Sequence, residues 1–164
     1  MPGVRSRRRW AATTPGCRAR SRSQSPPGRF RRTYGRLRSS YGGAWPPLLA
    51  EPKRRRFLRG LDENEVVVIS GEDIIYAYAW IYEGFFGHTF LAYLAVQPRY
   101  RRNSLAGMLL EATENRAVTD RVFSSTNASN APMQAVFDRY GWRRCGQIDE
   151  LDPGDPELVY VKFV

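Results

Sequence analysis

From residue 65 onward, hydrophobic positions recur with two different periods, and the switches between them predict the elements of one domain. Residues 65–70 (EVVVIS) are a β-branched run closed by the polar turn 71–73. Residues 74–82 (IIYAYAWIY) are apolar on both faces, which suits a central strand, and the GFFG loop at 84–87 leads into a third strand at 89–96. The period then lengthens. Leu105, Met108, Leu109 and Ala112 fall at i, i+3, i+4 and i+7 and form one helical stripe, with Asn103 or Ser104 placed to cap it. A short strand is expected at 121–125. Asn130 then reads as an N-cap, Pro132 as a first-turn residue and Gly141 as the stop of a second helix, whose stripe is Met133, Val136, Phe137 and Tyr140. Strands at 142–148 and 158–164, separated by a loop at 152–156, complete the pattern. Another short helix is expected at 47–60. The main order is β-β-β-α-β-α-β-β, an α/β (α+β) sheet of mixed direction with covering helices and no internal repeat.

Upstream of residue 48 no such pattern is sustained, and composition explains why. Residues 1–60 hold 17 Lys or Arg against one acid, a net of +16, while residues 61–164 hold 9 against 15, a net of −6; together they make the +10 of the whole chain. The first 47 residues are rich in Arg, Ser, Pro and Gly and poor in aliphatic side chains, too few to offset an ordering entropy of about 1–2 kcal/mol per residue. The expected organisation is a disordered segment at 1–47 and a folded domain at 48–164. Cys17 and Cys145 make no disulfide framework. No apolar run reaches the roughly 18 residues that span a bilayer, and the N-terminus lacks the apolar core of a secretory signal. An organelle transit peptide shares its Arg- and Ser-rich composition but shows no amphipathic helix here, so a reducing, cytoplasmic setting is the expectation, with no membrane partner.

The chemistry gathers where the third strand passes into the helix. The first N–H groups of a helix have no internal partner, and its dipole places about half a positive charge at that end. Arg101 and Arg102 add charge, and small residues at 104 and 106 let a phosphate approach the backbone. Residues 101–106 therefore read as an anion site at a helix N-terminus; an ordinary capped helix with a solvated Arg pair is the alternative.

The run Val96-Gln-Pro-Arg-Tyr-Arg-Arg-Asn-Ser-Leu-Ala106 resembles the acetyl-CoA motif of the GNAT superfamily of N-acetyltransferases. Leu109, Leu110 and Glu114 fit the helix that follows it. Asn130, Phe137, Tyr140, Gly141 and Trp142 resemble the signature of the family's later helix. The resemblance covers roughly residues 61–164 and implies a mostly antiparallel GNAT sheet. It also implies that the amides of Arg101, Arg102, Asn103, Ser104, Leu105 and Ala106 cradle the CoA pyrophosphate. The main chain of Leu94 and Val96 would pair with the pantetheine arm and polarise the thioester, and Asn130 would bond the pantetheine. An amine of a small molecule or protein would attack acetyl-CoA directly, with no metal. A homodimer is compatible with this reading.

Departures from the family pattern qualify what is implied. Ser104 replaces the first glycine of the core and requires a negative φ there. Phe137 stands where relatives carry a Tyr that protonates the leaving thiolate. Strand 89–96 has no carboxylate, only His88 and Glu83 beside it, so the catalytic acid and base are unassigned. The family also opens with a further strand and helix, where this chain has Arg-rich sequence, so an open edge strand is expected. The acids of residues 149–157 suit either a cationic acceptor or a solvated hairpin. Two other classes compete: an inactive CoA-binding relative, and non-specific nucleic-acid binding through the basic residues 1–47.

Overall fold

The protein is described from a computed structural model, which defines residues 18–19, 53–71 and 74–164. Strand β1 is Arg18–Ala19, helix α1 is Lys53–Asp62, and strands β2, β3 and β4 are Val66–Ser70, Ile75–Phe85 and His88–Val96. A 3-10 turn, Pro98–Tyr100, precedes α2 (Leu105–Glu114), β5 (Arg121–Asn127), α3 (Ala131–Arg139), β6 (Arg143–Ile148) and β7 (Glu157–Phe163). The strands form one sheet in the order β1-β2-β3-β4-β5-β7-β6. Every pairing is antiparallel except β4 with β5.

β3 is central because its sequence is apolar on both faces. Ala77, Ala79 and Ile81 join the core under α2 and α3, with Leu91, Leu105, Leu109, Leu110, Val122 and Phe137. Ile75, Tyr78 and Trp80 join a second core under α1, with Phe57 and Leu61. Each Leu, Ile, Val or Phe among them contributes about 1.5–3 kcal/mol on burial. Phe57 packs edge-on against Tyr78 and Trp80, with ring centroids 5.9 and 5.6 Å away. Arg56 fixes α1 to the sheet through two hydrogen bonds to Glu65, at 2.8 and 2.7 Å, and Glu65 also accepts the Trp80 indole N–H at 2.9 Å.

The expected order of elements is the observed one, with several boundaries displaced. β3 runs on through Phe85, so only Phe86 and Gly87 turn between β3 and β4. On α2 the buried face is Leu105, Gly107, Leu109, Leu110 and Thr113, so Met108 and Ala112 flank the stripe rather than form it. β6 is exposed along its whole length and begins after the buried Trp142. The expected disorder of 1–47 falls outside the described residues except for Arg18 and Ala19. These two pair with Ser70 and Ile69, so the outer edge of β2 is partly covered rather than open.

Candidate functional site

The parallel contact between β4 and β5 is brief. Thr89, Phe90 and Leu91 pair with Val122, Phe123 and Ser124, and beyond that point the strands are no longer partners. β5 continues to pair with β7 as far as Asn127, and β4 with β3 as far as Val96. Two features accompany the parting. The Ser124 hydroxyl donates to the Leu91 carbonyl at 2.8 Å, closing the last rung with a side chain. A bulge at Ala92 also interrupts the β3–β4 register, since Trp80 pairs with Tyr93 but Ile81 with Leu91. Bulges bend the strand that carries them.

The register decides which backbone groups face the resulting gap. Gln97 N–H donates to the Tyr76 carbonyl at 2.9 Å, and bonded and non-bonded positions alternate along an antiparallel pair. Gln97, Ala95 and Tyr93 therefore direct their backbone groups at β3, and Leu94 and Val96 direct theirs away from it, toward the gap. These are the two strand residues singled out in the sequence.

The chain then turns into α2 through an unusual loop. Arg102 and Ser104 have φ of 64° and 58°, a left-handed conformation that non-glycine residues seldom adopt. The negative φ required of Ser104 is thus overturned. The capping expectation fails too: Ser104 occupies the N-cap position but its side chain caps nothing, and the Asn103 amide donates instead to the Tyr100 carbonyl at 3.2 Å. The first helical bond is Met108 N–H to Ser104 O at 3.1 Å, so the amides of Leu105, Ala106 and Gly107 precede the helix's own ladder. Arg101, Arg102, Asn103 and Ser104 are exposed, Ala106 is half-buried and Leu105 is buried. Arg101 Nε reaches the Val96 carbonyl at 3.4 Å, tying this loop to the mouth of the gap.

Together these features make a slot between two strands with free strand amides on one wall, ending at an uncapped, positively flanked helix N-terminus. The family model described as the acetyltransferase (GNAT) family matches residues 30–142. The chain belongs to the GNAT family of acetyltransferases. Its match starts well upstream of residue 61, so the family likeness reaches further toward the N-terminus than the two motifs indicate. A GNAT-family acetyltransferase from Bacillus cereus is 33% identical with a TM-score of 0.64, over 70% of this chain and 80% of that one. The ribosomal-protein-S18-alanine N-acetyltransferase of Escherichia coli shares the fold at 16% identity and TM-score 0.62, over 90% and 92% of the two chains. An Arabidopsis thaliana protein in complex with the bisubstrate analogue CoA-Ac-MVNAL does so at 12% identity and TM-score 0.61, over 81% and 93%. No protein of curated function is detectably similar in sequence.

Other sequence-selected residues of this GNAT domain fall outside the slot or serve the scaffold. His88 begins β4 and bonds Thr119 Oγ1 at 2.7 Å. It stands six residues, about 20 Å, from Leu94 along the strand. Glu83 lies on the same hairpin. Phe137 is fully buried and stacks on Tyr160 at 4.6 Å, so it adds packing and no proton. Tyr140 packs its hydroxyl against α2, in the space that a Cβ on Gly107 would fill. It borders a groove of about 490 Å³ with Ser104, Gly107, Met108, Glu111 and Glu114. The Glu114 carboxyl is raised above its ordinary range, chiefly by burial, with Lys162 opposing the shift.

Asn130 caps α3, accepting the Met133 N–H at 3.4 Å and donating to Thr126 Oγ1 at 2.9 Å. One Nδ2 hydrogen stays available to a ligand. In the acidic hairpin loop, Asp152 accepts from Asn127 at 2.9 Å and Asp155 from Ser129 Oγ at 2.6 Å, while Asp149 accepts from Gln147 at 2.6 Å. Three of its carboxylates therefore act as tethers, which favours the hairpin reading. Ser124, the Ala92 bulge and the Gly107–Tyr140 contact were not legible beforehand, because each acquires its meaning from a partner far away in the chain.

Proposed function

We propose that this GNAT protein transfers the acetyl group of acetyl-CoA to a primary amine of a small molecule or protein. The observation that carries the reading is the parting of β4 from β5 after Leu91, with the backbone of Leu94 and Val96 turned into the gap. A pantetheine arm, an extended chain with two amides, fits such a slot as an added strand would. Its pyrophosphate would meet the amides of residues 101–106, where the helix dipole and Arg101 and Arg102 favour negative charge. Asn130 would offer its remaining N–H to the pantetheine from the opposite helix. Strand amides directed at the thioester carbonyl would stabilise the oxyanion that develops as the amine attacks, with no acyl-enzyme formed.

The likeness in fold to an S18-alanine N-acetyltransferase and to a protein holding a CoA–peptide conjugate supports an amine acceptor. A second reading, a CoA-binding relative without turnover, draws on the buried, hydroxyl-free Phe137. Two measurements separate them. Acetyl-CoA at a hundred times its Kd should stabilise the full chain by about 2.7 kcal/mol, read as a rise in Tm; no rise at millimolar ligand would remove both readings. Release of free CoA with a panel of amines and N-terminal peptides distinguishes an active enzyme from an inactive binder.

A further inference from the structure

With Phe137 buried and His88 far along the strand, the departing thiolate needs a proton donor from elsewhere. β4 supplies one beside the gap. Tyr93 immediately precedes Leu94 and follows the Ala92 bulge, which places the side chains of both Ala92 and Tyr93 on the α1 side of the sheet. Without the bulge, strict alternation would put Tyr93 on the opposite face, under α2. The residue belongs to the part of β4 that has already left β5, so among the described residues no strand pairs with it on that side. Its ring stacks on Tyr78, centroids 5.6 Å apart, although Tyr78 pairs with Ala95 rather than with Tyr93. The Tyr93 ring is thereby drawn along the strand toward Ala95 and the open end of the gap.

The polar ends of this pair differ. Tyr78 is 1% exposed, and its hydrogen bond with the Tyr93 hydroxyl lowers the Tyr93 pKa, against the larger effect of burial. With Tyr78 as the donor, the Tyr93 proton would be left to point at a third group. Burial raises its pKa above the ordinary tyrosine value, so the phenol holds its proton at neutral pH. Tyr82, Arg56 and Glu65 lie further along the same face, with Arg56 and Glu65 paired to each other. Among the described residues, Tyr78 is the titratable group that bears on Tyr93.

We propose that the Tyr93 hydroxyl is the catalytic acid of this chain, protonating the CoA thiolate as the acetyl group leaves; this rests on the acyl-transfer reading above. In the step, the amine nitrogen bonds to the acetyl carbon, and the carbon–sulfur bond breaks with its electron pair going to sulfur. The Tyr93 proton passes to that sulfur. The phenolate, held by the Tyr78 hydroxyl, takes back a proton from the newly substituted nitrogen. Amine and acetyl-CoA become amide and CoA thiol, with no other reactant.

The test uses the full chain, Tyr93→Phe and CoA itself. A donor aimed at the sulfur stabilises the bound thiolate, so the thiol of bound CoA, followed by its ultraviolet thiolate absorbance, should ionise at lower pH in the wild type than in Tyr93→Phe. With an accepted amine, kcat should fall about a hundredfold, and KM for acetyl-CoA should stay within about threefold. Tyr78→Phe, which removes the hydrogen bond to the Tyr93 oxygen, should shift the bound thiol part of the way, and it provides the readout if Tyr93→Phe does not fold. Identical thiol titrations in all foldable variants would overturn the assignment of Tyr93 and leave CoA binding standing. Absence of CoA binding by the wild type would instead overturn the function on which the proposal rests.

Discussion

Two helices of this domain begin after a strand and a short loop, and their first turns are built in opposite ways. At α3, Asn130 accepts the Met133 N–H and bonds Thr126, and the Gln134 amide donates to the Ala128 carbonyl at 2.7 Å. Asp155 holds the backbone and hydroxyl of Ser129 at 2.9 and 2.6 Å. That terminus is satisfied from within. At α2 the N-cap residue makes no side-chain cap bond. Arg102 and Ser104 sit in the left-handed region there, at about 1–2 kcal/mol each relative to ordinary backbone. The same local topology thus gives a closed joint in one place and an open, strained, positively flanked one in the other. An open terminus has a use only when something outside the chain supplies the acceptors.

The contrast breaks most sharply if α2 is closed from within. Ser104→Asp places a carboxylate, a residue type tolerant of left-handed backbone, where it can cap the free amides and repel a pyrophosphate. Affinity for CoA by calorimetry should fall about a hundredfold, close to 3 kcal/mol, while the unliganded Tm holds or rises. Retained affinity would mean that the two termini differ only in appearance. Proline on β4 tests the strand half of the slot. Ala95→Pro removes an N–H directed at β3 and leaves a carbonyl of β3 unpaired, so it should cost about 1–3 kcal/mol of stability by chemical denaturation. Val96→Pro removes an N–H directed at the gap, so it should spare the ladder and weaken CoA binding by about 1 kcal/mol, roughly fivefold.

The same contrast explains what the sequence revealed. α3 could be read almost residue by residue, because Asn130, Pro132 and Gly141 are local signals that act on their own helix. The strands of the core were legible from their apolar runs, and β3 in particular from being apolar on both faces. At α2 the resemblance pointed to the loop at 101–106, but local logic misjudged its conformation, assigning Ser104 a capping role and a negative φ. Its backbone is set by the surrounding loop and by a shape that glycine would adopt without strain. Arg102 had drawn notice for its charge and its backbone amide, not its conformation. The gap itself was invisible for a different reason. It depends on where β5 stops pairing with β4, which residues 121–127 do not encode by themselves, and on a one-residue bulge at Ala92 that alternation does not announce.

Smaller effects sharpen the comparison at the helix ends. Asn130→Ala should remove the α3 cap and lower stability by about 1 kcal/mol, with a smaller loss of CoA affinity. The same truncation at Ser104, which caps nothing, should leave unliganded stability within about 0.5 kcal/mol of the wild type.

The C-termini differ as well, since α3 carries Arg139 in its last turn and α2 ends on Glu114 with no base there. A half-buried carboxylate at the negative end of a dipole is poorly placed. Burial is the leading cause of its raised pKa, so the folded state binds this proton more tightly than the unfolded chain does. Stability from this group is therefore fully present below the unfolded value, near pH 4, and declines as pH rises through the higher folded value. Glu114→Gln removes the ionisation. It should raise Tm by about 1–2 °C at neutral pH and leave it unchanged near pH 4, as read from paired melting curves. An equal gain at both pH values would assign the effect to packing in the groove rather than to the charge at the end of α2.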